Sequence, residues 1–201
     1  MYPPYRRQHG NCNHLPISSG FRVGCHSGQD LVNFVKANSQ RRNYMLSQRG
    51  TQLCNALALG KRPTEVILGQ LGKNFDDLFF GGQLLGHCLL HFTPVPSSRS
   101  GFNARTTETS PGSAEILIYT RDDKDEVLAQ TLRGYISTLL REMAHAFLVV
   151  YQCRFCFHAD ATGDPQAPGH GQPFDEIIRV VEIACRDPRY IDLPLDLKHA
   201  A

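Results

Sequence analysis

The sequence predicts an α+β fold, with helices packed around a small β-sheet. Two observations predict it. Two short apolar runs rich in strand formers, HCLLHFTPV and AEILIYT, lie between stretches whose apolar residues recur at steps of three and four. The second run is followed by one long helical pattern, from about Asp123 to Tyr151, and then, across a loop rich in Gly, Pro and Asp, by a final helix. The chain has 201 residues, 41% hydrophobic and 20% charged, a length and balance that let one domain bury its own core.

Residues 1–28 are rich in Pro, Gly, Ser, Asn and His without periodicity and read as a mobile tail. Residues 29–62 form a helical extension, with the pattern in DLVNFVKAN and RRNYMLSQRGTQLCNALALG. A domain follows over 63–190. Its first helix, RPTEVILGQLGKNFDDLFF, places Val66, Ile67, Gln70 and Leu71 at helical spacing, and FFGGQL ends it with a glycine pair suited to a C-terminal cap. Between the two strand runs, PSSRSGFNARTTETSPGS is polar and aperiodic and reads as a loop. RDDKDEV puts acidic side chains at the start of the long helix, where they complement its dipole. Along that helix Leu128, Leu132, Tyr135, Leu139, Met143, Ala146 and Val150 make one apolar face. The last helix, PFDEIIRVVEIACRD, opens on Pro173 and aligns Phe174, Ile177, Ile178, Val181, Ala184 and Cys185. Residues 191–201 read as an exposed tail.

A net charge of +2 sets up no global field of the kind that marks a nucleic-acid binder, and the basic pairs Arg6-Arg7, Arg41-Arg42 and Lys61-Arg62 read as solvated surface. The first twenty residues show no secretory signal, and the longest apolar run, AHAFLVVY, is too short to span a bilayer. Seven cysteines, an odd number and mostly far apart, point to an intracellular chain with reduced thiols. Cys153 and Cys156 make a single C-x-x-C, followed by His158. A zinc knuckle needs four ligands and there is no second C-x-x-C, while Cys185 lies on an apolar helix stripe, so Cys153 and Cys156 read as free thiols ahead of a local metal or disulfide role. His87 and His91 flank a strand and read as half-exposed structural residues.

The chemistry centres on LLREMAHAFLVVY, residues 139–151. In an HExxH helix two histidines one turn apart hold a metal, and the glutamate between them serves as general base. Here Glu142 and His145 stand in register for the last two roles, and Arg141 stands where the first histidine would be. Arginine keeps its proton and offers no lone pair to a cation. On residue type alone, Glu142 and His145 also suit an ordinary i, i+3 surface pair. APGHGQPF adds His170 between two glycines, directly before a helix, where the backbone can approach a neighbour closely.

These segments, in this order, resemble the SprT-like zinc metallopeptidase domain found in the Spartan proteases of DNA–protein crosslink repair. FDDLFFGGQL resembles the family's helix running into a Phe/Tyr-Gly-Gly turn, LLREMAHAFLVVY its metal-site helix, and GHGQPFDEIIRVV the segment bearing its third ligand. The likeness covers residues 63 to about 186. It implies a zincin-like fold around a long metal-site helix, a Zn²⁺ cofactor, Glu142 as general base and His145 and His170 as zinc ligands. It also implies a protein substrate or partner, DNA or chromatin as a further partner, no membrane, and a nuclear location. The chain departs from the family at Arg141, where the first ligand belongs. Two expectations follow. Either the chain is a metallopeptidase-type fold impaired or inactive as a zinc protease, or it is an active enzyme in which His158, Asp160 or Asp164 substitutes for the missing ligand.

Overall fold

The computed structural model describes residues 14–40, 64–93, 103–120, 131–156, 171–188 and 191–197. The described residues make a mixed α+β fold with a three-stranded sheet. Helix α1 (Gly28–Ser39) is started by Ser27, whose hydroxyl accepts from the Asp30 N–H at 3.0 Å. Helix α2 (Glu65–Phe79) is capped in the same way by Thr64. It buries Leu68, Leu71, Phe75, Leu78 and Phe79, while Val66 is exposed, so its core stripe is rotated from the one read at Val66, Ile67, Gln70 and Leu71. Gly81 and Gly82 then turn the chain at φ +64° and +72°, which glycine adopts without strain. Asp76 holds this turn: its carboxylate accepts from the N–H groups of Leu84 and Leu85, both at 2.9 Å.

Strands β1 (Cys88–Thr93), β2 (Ala104–Ser110) and β3 (Ser113–Tyr119) assemble in the order β1-β3-β2, with β3 parallel to β1 and antiparallel to β2. The sequence reading of ARTTETS as loop is therefore corrected. These residues are polar because β2 is an edge strand, and they become a strand by pairing with β3 across the turn at Gly112. Ala114, Ile116 and Ile118 turn inward from β3.

Helix α3 (Leu132–Tyr151), capped by Thr131, is packed against the sheet, α1, α2 and the last helix, α4 (Gln172–Arg186). It is buried around most of its circumference rather than along one face. Arg141, His145 and Val149, one turn apart, form its half-exposed strip. Helix α4 buries the predicted stripe from Phe174 to Cys185.

Both ends of the described chain depart from the tails read in the sequence. Residues 14–27 wrap the C-terminal end of α3. His26 pairs with Gln152 in a parallel bridge, Gly24 N–H donates to the Val150 carbonyl, and Cys153 N–H donates to the His26 carbonyl at 2.8 Å. Phe21 sits edge-on to Phe34 and Tyr151. At the other end Ile191, Leu193, Leu195 and Leu197 are all buried, alternating with exposed residues. This segment is held by Leu193 N–H on the Cys185 carbonyl and Leu197 N–H on the buried Glu182 carboxylate, each at 2.7 Å. No helix among the described residues is long and apolar enough to cross a membrane. The long helix read from about Asp123 begins instead at Leu132, because Thr131 is extended and caps it, so the acidic stretch RDDKDEV does not form its first turn. That stretch, the three basic pairs, the helical pattern beyond residue 40, and His158, Asp160, Asp164 and His170 lie outside the described residues.

Candidate functional site

Glu142 and His145 leave α3 toward different neighbours, and Arg141 goes with His145. Arg141 and His145, one turn apart, both meet Phe174 in the first turn of α4. The His145 ring stacks on the Phe174 ring at 3.9 Å between centroids and 15° between planes, and the Arg141 guanidinium stands over the same ring at 5.3 Å. Arg141 also donates from Nη1 to the Leu197 carbonyl at 3.3 Å. The cation at the first-ligand position thus ties α3, α4 and the C-terminal segment together.

Glu142 faces the sheet instead. Its carboxyl is buried and lies 2.6 Å from the hydroxyl of Thr106 on β2, which also stands 3.1 Å from the Glu142 carbonyl. Burial pushes the Glu142 carboxyl above its ordinary value, against the lowering effects of the Thr106 hydrogen bond and the nearby Arg141 charge. The Thr106 hydroxyl donates to the Glu142 carboxyl and is shared with the Glu142 carbonyl. A general base has to be ionised and within reach of the proton it takes. Burial works against the ionisation of Glu142, and its carboxyl is turned onto the Thr106 hydroxyl.

His170 precedes Gly171, the N-cap residue of α4, and lies outside the described residues. Among the described residues no group of three potential ligands includes His145, and His170, the other ligand the resemblance implies, lies outside them.

A different group of three potential ligands does converge among the described residues. One ligand atom from each of His14, Cys153 and Cys156 lies within 4.8 Å of the others, an arrangement that could hold a metal ion. His14 Nε2 is 3.1 Å from Cys156 Sγ across 142 positions of sequence. The other thiols differ. Cys185 is in the core, as its helix stripe predicts, with burial raising its pKa, and burial pushes Cys88 up to about 12. His91 is half-exposed beside Glu115 at 3.7 Å, and the exposed His87 meets the Tyr151 ring edge-on.

Sequence reasoning missed Thr106, Leu197 and His14. Thr106 lay in a stretch read as loop. Leu197 carried a legible signal, since IDLPLDL alternates apolar and polar residues as a half-buried extended segment does. His14 carried none, because its partners are remote in sequence. Comparison of the chain with protein-family models, with curated proteins and with solved structures finds no match in any of the three.

Proposed function

We propose that the chain is a SprT-like, zincin-type fold that has kept the metallopeptidase architecture without its catalytic zinc, and that it acts by binding a protein partner rather than by cleaving one. One observation carries this reading: the residue at the first-ligand position, Arg141, is built into the packing, over Phe174 and onto the Leu197 carbonyl. Supporting it are the order of the three family-like segments, the stacking of α4 on His145, and a would-be base engaged with Thr106. DNA or chromatin as a partner, and a nuclear location, are proposed from the family resemblance.

The test compares zinc content and casein cleavage in Cys153→Ser/Cys156→Ser protein with and without Arg141→His, so that the thiols contribute to neither. The chain retaining Arg141 is expected to hold no zinc after dialysis and to cleave nothing. Retention of one zinc bound by nitrogen and oxygen, or cleavage that Glu142→Gln abolishes, would show an active peptidase with a substitute ligand.

A further inference from the structure

We propose that His14, Cys153 and Cys156 form a zinc site that clamps the N-terminal segment onto the C-terminal end of α3. This site is independent of the Arg141 strip and does not rest on the metallopeptidase reading.

Spacing is the first argument. A tetrahedral zinc, with Zn–S near 2.3 Å and Zn–N near 2.0 Å, keeps its ligand atoms about 3.5–3.8 Å apart. The three atoms here lie within 4.8 Å of one another, with His14 Nε2 and Cys156 Sγ at 3.1 Å, so small side-chain rotations suffice to seat an ion. The local backbone favours this. Residues 154–156 form a helical turn that leaves Arg154 and Phe155 exposed and Cys153 and Cys156 half-buried on the side of His14.

The scaffold is the second argument. The Cys153 N–H is fixed on the His26 carbonyl at 2.8 Å. The His26 side chain, fully buried, donates from Nδ1 to the Leu15 carbonyl at 2.7 Å and accepts the Arg22 N–H on Nε2 at 2.9 Å. Leu15 N–H donates to the Cys25 carbonyl at 3.0 Å. The residue next to His14 and the residue bearing the first sulfur are thus both fastened to His26.

Ligand chemistry selects the ion. Two sulfurs and one imidazole suit zinc and disfavour magnesium or calcium, which take oxygen. On binding, each thiol releases its proton to solvent, each thiolate donates a lone pair to the metal, and neutral His14 donates its Nε2 lone pair. No electron changes hands. The described residues supply three of the four positions of a tetrahedral ion.

The probe is zinc, with cobalt(II) as its spectroscopic substitute, on the full chain purified under reducing conditions. One zinc per chain is expected after dialysis, and cobalt should give thiolate-to-metal charge-transfer absorption, which a site built only of nitrogen and oxygen cannot produce. Loss of a second-shell partner alone costs about 10–100-fold in metal affinity, so His14→Ala, which removes a ligand, should weaken cobalt binding at least that much. Cys156→Ser should lose the two-thiolate spectrum, and Cys156→His should retain an ion with a one-thiolate spectrum, which separates loss of a ligand from loss of the fold. Zinc should also slow amide exchange in residues 14–26. A full chain with no charge-transfer absorption, or His14→Ala protein with unchanged cobalt affinity, overturns the proposal.

Discussion

The middle of α3 and its C-terminal continuation teach opposite lessons about metal motifs. The middle carries the string that looks like a zinc helix, Arg141, Glu142 and His145, and there a guanidinium and an imidazole lie against Phe174 and a carboxyl lies against Thr106. The end carries only a lone C-x-x-C, which reads as ordinary thiols, yet there three ligand atoms come together because a histidine arrives from the other end of the chain. A metal site is a convergence of lone pairs in space. Helical spacing brings lone pairs together only at positions that can donate, and an arginine cannot.

The largest effect is expected at His26, which holds the C-terminal arrangement without being a ligand. His26→Ala leaves the Arg22 N–H and the Leu15 carbonyl without their partner and opens a cavity, at a cost of about 2–4 kcal/mol by denaturant unfolding. Cobalt affinity should fall with it, since His14 loses its anchor. If stability falls and cobalt affinity does not, the cluster is self-supporting and the two ends of α3 differ less than the hydrogen bonds imply.

Arg141→Met is next. It keeps an unbranched apolar stem but loses the Leu197 hydrogen bond and the contact with the Phe174 face, together about 1–2 kcal/mol. Amide exchange should quicken around residues 191–197 while cobalt binding at the thiols stays unchanged. Unaltered exchange there would mean that the guanidinium is not what holds the C-terminal segment.

Glu142→Gln should have the smallest effect and the opposite sign. Burial raises the Glu142 pKa from its ordinary value of 4.5. Between that value and the raised one, the folded state binds more protons than the unfolded state, so stability falls as pH rises through this window. The contribution is complete below 4.5 and is lost above the folded-state pKa. Glutamine, like the protonated acid, carries no charge, and its amide oxygen can accept from the Thr106 hydroxyl. The variant should therefore be more stable than the parent at neutral pH and equal to it at acid pH, measured as the unfolding midpoint across pH. Asp76, also raised by burial, leaves its own pH slope in both proteins, and only the difference between them reports Glu142. A parent that is the more stable at neutral pH would show that the Thr106 bond and Arg141 outweigh burial.

Much of this architecture was legible in the chain, and what was missed has a common character. Gly81-Gly82 turns the chain after α2 because glycine tolerates positive φ, as FFGGQL suggested, whereas the caps Ser27, Thr64 and Thr131 were not read although each hydroxyl lies three residues from the N–H it accepts. The α4 stripe from Phe174 to Cys185 follows from a period shorter than the helix itself. These features are set by neighbours within one or two turns. The rotation of the α2 stripe toward Leu68 and Phe75 depends instead on which face meets α3, and ARTTETS is a strand because β3 pairs with it.

By itself, then, the sequence determined the helices, two of the three strands and the register of Arg141, Glu142 and His145 on one helix, because backbone hydrogen bonding and side-chain period act over a few residues. Only the tertiary structure decided what those side chains do. Phe174 reaches His145 from another helix, Thr106 reaches Glu142 from an edge strand, Leu197 reaches Arg141 from the C-terminal segment, and His14 reaches Cys156 across 142 positions. Each of these meetings closes a loop far longer than any local pattern and is stabilised only once both partners are buried together. No residue string records them.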